Sequence, residues 1–327
     1  MPDDRHRALI ATLSALSLAA ALPGQDRREP PEPPMRRLYD LRYAEVDGVD
    51  ARFHSLDLYV PERAQRCPLV VMLHGGAWAL GDKRSLGVSE RKARRLVAEG
   101  FALASVNYRL SPAVRHPAHV EDVARALAWL HDNAARYGLD RDRIFVMGHS
   151  AGAHLAALVA TDPRWLAAAG KDLTIIKGVV PLDSAAYDLP RLFADYVGGS
   201  GREPLYRLPF GDREEGWKDA SPIEHVARDR GIAPFLIFHT GLRRDAKAIS
   251  EAFAARLREA GVAATTVHAV PYDHAAINRE LGLVGDAVTR QVLVFLRRRL
   301  QELDRAAPGQ GGAASRPAAP EDRPTRR

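Results

Sequence analysis

A serine between two glycines is the strongest chemical signal in the sequence. Residues 148–152 read Gly-His-Ser-Ala-Gly, directly after the apolar run 144–147 and directly before a helix-like stretch that starts at His154. A tight turn from strand to helix projects such a serine hydroxyl above a sheet, and glycines on either side let neighbouring backbone pass close to it. We interpret Ser150 as a nucleophile. An ordinary glycine-rich turn with a helix-capping serine is the alternative.

A second glycine motif, at residues 74–78, reads His-Gly-Gly-Ala-Trp and follows another apolar run. Acyl transfer places negative charge on a carbonyl oxygen, and main-chain N–H groups aimed at that oxygen stabilise it. We expect the amides of Gly75, Gly76 and Ala151 to form such an oxyanion hole. Trp78 is predicted to line the substrate pocket, with closure of the core beneath the loop as the alternative.

A serine hydroxyl needs a general base at neutral pH. His274 is the best-placed histidine, because it lies in a loop between the last predicted strand and the final predicted helix. The resulting chain order of serine, acid and histidine is the order found in α/β-hydrolases. His149, next to the nucleophile, is expected to pack or to line the substrate pocket rather than to titrate in catalysis.

The acid that would orient His274 is harder to assign. Asp245 follows the predicted strand 235–239 and is the first candidate, although the two arginines before it would also suit a surface ion pair. Asp183, at the end of the earlier strand 176–182, is the reserve candidate. Asp273 is adjacent to His274 in sequence, so its side chain is expected to point elsewhere.

The elements that must position these residues alternate along the chain. Apolar runs predict strands at 56–60, 69–74, 102–107, 144–148, 176–182, 235–239 and 264–270. Helical patterns occur at 90–99, 120–137, 154–161, 246–260 and 286–300. Unbroken apolar strands alternating with helices predict an α/β fold with a doubly wound, mostly parallel sheet flanked by helices.

The two ends differ in composition from the middle of the 327-residue chain. Residues 1–24 resemble a signal peptide, so export to the periplasm or medium is expected; without that signal the protein would be cytoplasmic. Residues 25–37 read as a Pro-rich linker, 38–303 as one folded domain and 304–327 as a disordered basic tail. Residues 188–217, which have no clear pattern, are predicted to be a mobile lid over the pocket.

Several classes of function are disfavoured. The net charge of +6 comes partly from the tail, where no aromatic residues are interleaved for base stacking, so nucleic-acid binding is not expected. The apolar run in residues 8–22 is too short for a comfortable membrane span. The cluster His116, His119, Glu121 and Asp122 lacks the HExxH spacing and reads as a helix start, so no metal is expected. Oligomeric state cannot be read from the sequence.

Taken together, these motifs resemble the α/β-hydrolase superfamily. The resemblance extends over about residues 55–300 and is nearest to hormone-sensitive-lipase-like esterases, BD-FAE-type feruloyl esterases and kynurenine formamidases. It rests on residues 74–78, 107–112, 116–122 and 148–152 and on the loop that carries His274.

The resemblance implies a serine carboxylesterase that acts on a small-molecule ester without a cofactor. It also implies Ser150 as nucleophile, His274 as base and Gly75, Gly76 and Ala151 as oxyanion donors. Relatives usually carry the acid at a position that falls near Leu242 here, so either the acid has moved or the triad is incomplete. A formamidase or other amidase, a weakly active enzyme and a non-catalytic binding protein therefore stay open as alternatives.

Overall fold

A computed structural model describes residues 28–85, 87–196, 203–241 and 244–306. The predicted signal peptide, residues 1–24, lies outside the described residues, and so do residues 307–327 of the predicted tail. The folded domain extends slightly beyond the predicted limits of 38 and 303, because its first strand begins at Met35 and its last helix ends at Ala306.

The strands largely follow the apolar runs of the sequence. In the described part of the chain they are β1 (Met35–Arg42), β2 (Ser55–Pro61), β3 (Cys67–Leu73), β4 (Ala102–Val106), β5 (Leu139–His149), β6 (Ile176–Leu182), β7 (Phe235–Thr240) and β8 (Ala264–Ala269).

The helices fill the connections between strands. They are α1 (Glu90–Ala98), α2 (Ala118–Asp132), α3 (Ala134–Tyr137), α4 (Ala151–Thr161), α5 (Pro163–Ala168), α6 (Leu189–Tyr196), α7 (Glu203–Phe210), α8 (Glu214–Asp219), α9 (Arg244–Glu259), α10 (Ala276–Arg279) and α11 (Ala287–Ala306). Within the described ranges, none of these helices combines the length and apolar character needed to cross a bilayer.

The eight strands form one sheet in the order β1-β2-β4-β3-β5-β6-β7-β8. Strand β2 runs antiparallel to both of its neighbours, and the other strand pairs, from β4 to β8, are parallel. The predicted doubly wound, mostly parallel sheet is therefore confirmed. Because parallel strands end at the same edge, the loops after β3, β5, β6, β7 and β8 share one side of the domain.

Strand β1 has no counterpart among the predicted strands. It pairs antiparallel with β2 at the edge of the sheet, and its residues are half-buried or exposed. Arg36, Arg37 and Asp40 interrupt its apolar residues, so the sequence lacks the unbroken run that marks the inner strands. Residues 35–37, which the sequence analysis placed in the linker, belong to this strand.

The core has two halves, one on each face of the sheet. In β3, Leu69, Val71 and Leu73 face the first half, whereas Val70 and Met72 face the second. The first half is completed by apolar side chains of α2, α4 and α9, and the second by those of α1 and α11. Covering both faces explains why the inner strands are continuously apolar.

The connection between β6 and β7 is the longest, and its described residues 188–196 and 203–225 are called the cap here. It contains α6, α7 and α8, and the rings of Phe193 and Trp217 stack with their centroids 4.0 Å apart. Leu189, Leu192 and Phe193 are buried, which anchors α6 to the core. The mobility predicted for residues 188–217 stays a prediction.

Candidate active site

Ser150 occupies the turn between β5 and α4. Its backbone has φ 56° and ψ −116°, a conformation with positive φ that non-glycine residues adopt only when their surroundings enforce it. The Ser150 amide donates to the Leu182 carbonyl oxygen at 3.0 Å, which ties the turn to the end of β6. The predicted sharp turn is thus present, with its hydroxyl at the carboxyl edge of the sheet.

The two glycines of this motif are needed for close packing. A Cβ atom on Gly148 would clash with the carbonyl oxygen of Gly152, and one on Gly152 would clash with the carbonyl oxygen of Leu73. Since these neighbours are backbone atoms, they could not move aside without displacing a strand or a helix. The glycines let α4 start directly against the end of β3.

His274 lies in the loop after β8 and reaches Ser150. Its Nε2 atom is 2.9 Å from the Ser150 Oγ atom, and its side chain is 38% exposed. Asp273 accepts from the amides of Ala275 and Ala276 at 2.9 and 2.6 Å, so it caps the following turn and does not orient the imidazole. This agrees with the expectation that the Asp273 side chain points elsewhere.

Asp183 is the acid that contacts the imidazole. Its Oδ2 atom is 2.6 Å from the His274 Nδ1 atom, and its side chain is fully buried. The carboxylate also accepts from the Thr240 amide at 2.9 Å and from the Thr240 hydroxyl at 3.0 Å. These three donors hold it in one orientation without exposing it to water.

The first-choice assignment of Asp245 as the acid is therefore wrong, and the reserve candidate Asp183 takes that place. Asp245 lies in the first turn of α9, whereas Nδ1 of His274 is already bonded to Asp183. Asp183 reaches the imidazole because β6 lies between β5 and β7, so its end lies beside the nucleophile turn. The end of β7, where the acid was expected, instead carries Thr240, which donates hydrogen bonds to the Asp183 carboxylate.

The loop after β3 brings main-chain amides to the same edge. A Cβ atom on Gly75 would lie 3.2 Å from the Ser150 Cβ atom, so the glycine backbone packs directly against the nucleophile. The amides of Ala79 and Leu80 donate to the Gly76 carbonyl at 3.0 and 2.9 Å, which closes the loop into a tight turn.

Ala151, the third predicted oxyanion donor, directly follows the nucleophile. It is the first residue of α4, and the first amides of a helix have no partner within the helix. Gly75 therefore packs against Ser150 and Ala151 follows it directly, whereas the oxyanion hole of Gly75, Gly76 and Ala151 stays a prediction.

Comparison with known proteins agrees with this geometry. The BD-FAE family model matches residues 56–177. The chain is 32% identical to an arylesterase of Saccharolobus solfataricus over 218 residues, which are 63% of this chain and 67% of that protein. The chain belongs to the α/β-hydrolase family of esterases. The resemblance inferred from the motifs is confirmed.

Other esterases align over different lengths. Esterase LipQ of Mycobacterium tuberculosis is 32% identical over 276 residues, 81% of this chain and 64% of that protein. The chain therefore spans less than two thirds of the length of LipQ. The solved structure of an esterase from the archaeon Pyrobaculum calidifontis matches with a TM-score of 0.60 at 27% identity, and the alignment covers 75% of this chain and 81% of that one.

Within this esterase fold, His149 lies behind His274. Its Nε2–H donates to the His274 carbonyl oxygen at 2.6 Å, and the two ring centroids are 4.6 Å apart. Burial, followed by the nearby His274 charge, lowers the pKa of His149 to about 3, so the ring is neutral at ordinary pH. Its hydrogen bond to the base is through the backbone, which fits packing, one of the two roles expected for His149; the other, lining the substrate pocket, stays a prediction.

Trp78 is also buried, with 3% of its surface exposed. Its indole Nε1–H donates to the His154 Nδ1 atom at 3.2 Å, and its ring packs edge-on against Phe210 of the cap at 4.8 Å. This arrangement corresponds to the alternative interpretation, in which Trp78 closes the core beneath the loop. The prediction that Trp78 lines the substrate pocket stays a prediction.

The Tyr108 ring, which is not among the predicted site residues, supports the loop after β3. His74 stacks on Tyr108 with centroids 4.3 Å apart, and the Tyr108 hydroxyl donates to the His74 carbonyl at 2.8 Å. Burial lowers the pKa of His74 to about 4. Tyr108 lies in one of the motifs that carried the resemblance, residues 107–112, which was the available signal.

The histidine and acid cluster before α2 has separate partners. His116 lies 2.9 Å from Asp219 of the cap, whereas His119 contacts a serine hydroxyl at 3.2 Å. Asp122 binds the guanidinium of Arg109 through two hydrogen bonds of 2.8 Å. Among the residues that the structure describes, no three His, Cys, Asp or Glu side chains converge as metal ligands would.

Proposed function

We propose that this protein is a serine carboxylesterase that hydrolyses small-molecule esters through an acyl-Ser150 intermediate. The observation that carries the proposal is the continuous hydrogen-bonded chain from the Ser150 hydroxyl through His274 to Asp183. A hydroxyl, an imidazole and a buried carboxylate in this order are the parts of a catalytic triad. The esterase names of the relatives support an ester as the bond cleaved.

The imidazole is set for proton transfer in the resting state. The carboxylate of Asp183 can only accept a hydrogen bond, so Nδ1 of His274 carries the proton and Nε2 is free to accept one. During attack the Ser150 hydroxyl proton moves to Nε2 while Oγ bonds to the ester carbon. Asp183 stays ionised and stabilises the imidazolium that forms.

The negative charge of the tetrahedral intermediate develops on the former carbonyl oxygen. The amides of Gly75, Gly76 and Ala151 are proposed as the oxyanion hole that stabilises this charge. Collapse of the intermediate breaks the bond to the alcohol oxygen, which takes the proton from Nε2 and leaves as the alcohol. Ser150 remains acylated.

Water then completes the reaction. His274 Nε2 removes a proton from water as its oxygen attacks the acyl carbon, and the second intermediate breaks the bond to Oγ. The proton returns to Ser150, and the carboxylic acid leaves. An amidase would use the same residues, but no observation on this chain favours an amide over an ester.

Replacing the nucleophile tests the proposal. The Ser150→Ala protein should lose almost all hydrolysis of p-nitrophenyl acetate, and a fluorophosphonate probe should label the wild type but not the variant. Ser184→Ala removes a nearby buried hydroxyl, which accepts from the Ala186 amide at 3.3 Å, and should stay active and be labelled. Equal ester hydrolysis by wild type and Ser150→Ala would contradict the proposal.

A further inference from the structure

His154 joins three parts of the molecule that meet beside the nucleophile. It lies one turn after Ser150 on α4, where its amide donates to the Ser150 carbonyl oxygen at 3.1 Å. Its ring is fully buried, and both ring nitrogens are engaged. Nε2 is 2.7 Å from the carbonyl oxygen of Ala220 in the cap, and Nδ1 is 3.2 Å from the indole nitrogen of Trp78 in the loop after β3.

The partners of His154 determine its tautomer. A carbonyl oxygen only accepts a hydrogen bond, so the Nε2 atom facing Ala220 must carry the hydrogen. An indole N–H only donates, so the Nδ1 atom facing Trp78 must be bare. Burial lowers the pKa of His154 to about 3, which keeps this single neutral form at physiological pH.

The loop that carries Trp78 needs to be held in place. Ala77 and Trp78 have φ values of 51° and 57°, so two successive non-glycine residues adopt a left-handed conformation. The Trp78 carbonyl accepts from the Ser111 amide at 2.8 Å, and the Trp78 side chain is held by His154. Gly76, one of the proposed oxyanion donors, is only two residues before this side chain.

We propose that His154 is a positioning residue: its bond to the Ala220 carbonyl fixes the tautomer with a bare Nδ1 atom, and that atom accepts from Trp78 and so holds the oxyanion loop. The bond to the Ala220 carbonyl leaves Nδ1 of His154 without a hydrogen, so this atom accepts from the Trp78 indole. The left-handed turn at Ala77 and Trp78 is thereby held in place. The amides of Gly75 and Gly76, just before the turn, then face the ester oxygen. This inference rests on the proposed function, because an oxyanion loop matters only if Ser150 attacks a carbonyl.

Two conservative variants separate the two bonds. Glutamine places an amide nitrogen at the ε position, so His154→Gln can keep the bond to Ala220 but has no acceptor at the δ position, where Trp78 donates. Asparagine places an amide oxygen at the δ position, so His154→Asn can keep the bond from Trp78 but has no donor at the ε position, which faces Ala220. Each variant leaves the nucleophile, the base and the acid in place.

The kinetic constants of the two variants should differ in a defined way. Loss of oxyanion positioning lowers kcat with little change in KM, so kcat of His154→Gln should fall roughly 10- to 100-fold. kcat of His154→Asn should stay within about threefold of wild type, since the contact to Trp78 is kept. Combining Trp78→Phe with His154→Gln should cost no more than either change alone, because both remove the same bond.

A buried histidine outside α4, the cap and the loop after β3 provides the control. His54 is buried and contacts Asp122 at 3.1 Å, so His54→Gln also removes a buried imidazole but should leave kcat unchanged. Equal kcat losses in His154→Gln and His154→Asn, or additive losses with Trp78→Phe, would overturn the inference and indicate a general packing role. If the wild type neither hydrolyses esters nor reacts with a fluorophosphonate, the proposed function fails instead.

Discussion

His274 and His154 both contact the nucleophile residue, and they differ in what their ring nitrogens face. His274 lies between a carboxylate and a hydroxyl, with 38% of its side chain exposed. His154 lies between a carbonyl and an indole N–H and is fully buried. An adjacent carboxylate stabilises an imidazolium, whereas two neutral partners in a buried site do not.

The comparison shows that the residue type does not decide the role of a histidine near an active site. His274 can accept a proton because Asp183 supplies the compensating negative charge and Ser150 supplies the proton. His154 keeps one neutral tautomer, and its proposed role is to position the Trp78 side chain. Three changes would break or sharpen this contrast.

The largest effect is expected from Asp183→Asn, which gives His274 a neutral partner like those of His154. The amide cannot stabilise the imidazolium and can favour the wrong tautomer, so kcat should fall by about 10⁴-fold. Steady-state hydrolysis of p-nitrophenyl acetate measures the change.

Asp245→Asn is the matched control for that experiment. Asp245 lies in the first turn of α9, and His274 Nδ1 is bonded to Asp183, so kcat of Asp245→Asn should stay close to wild type. A large loss with Asp245→Asn and a small one with Asp183→Asn would reverse the assignment of the acid.

An intermediate effect is expected from His149, which holds the backbone of His274. His149→Leu removes the donor to the His274 carbonyl and should lower kcat by about tenfold, because small displacements of a catalytic group are costly. His149→Gln retains an amide N–H at the ε position and should recover most of that loss. Similar kcat values for the leucine and glutamine variants would show that the hydrogen bond to His274 is not what matters.

The smallest effect concerns stability, and its sign follows from burial. Burial lowers the pKa of His74 to about 4 and of His149 and His154 to about 3, whereas an unfolded histidine titrates near 6.5. The unfolded state therefore binds more protons below about pH 6.5, and the stability present above that pH is lost as the pH falls towards these lower pKa values. Each such histidine contributes up to about 1.4 kcal/mol per pH unit in this window.

Urea unfolding at pH 7 and pH 5 measures this effect. The free energy of unfolding of the wild type should be lower at pH 5, and the drop should be smaller in His154→Asn, which has one buried imidazole fewer. His268 is exposed, so His268→Asn should retain the full wild-type drop. A drop in His154→Asn as large as that of the wild type would show that His154 does not contribute.

Much of the fold and part of the site could be predicted because they depend on local rules. Strand 176–182 was predicted to the residue, since a run covered on both faces is continuously apolar. Strand β1 was missed because an exposed edge tolerates charges such as Arg36 and Arg37. Ser150 and its glycines were found because a sharp turn against backbone atoms restricts side-chain size at adjacent positions.

The sequence by itself determined the alternation of strands and helices, the nucleophile turn, the glycine loop and the histidine that follows the last strand. Each of these depends on residues that are close together in the sequence, because steric limits and hydrophobic patterns act locally. Only the tertiary structure decided that Asp183 rather than Asp245 orients His274, and that His154 links Trp78 to the cap. Those pairings join distant stretches, so they depend on which strand ends lie side by side and on which buried polar atoms need a partner.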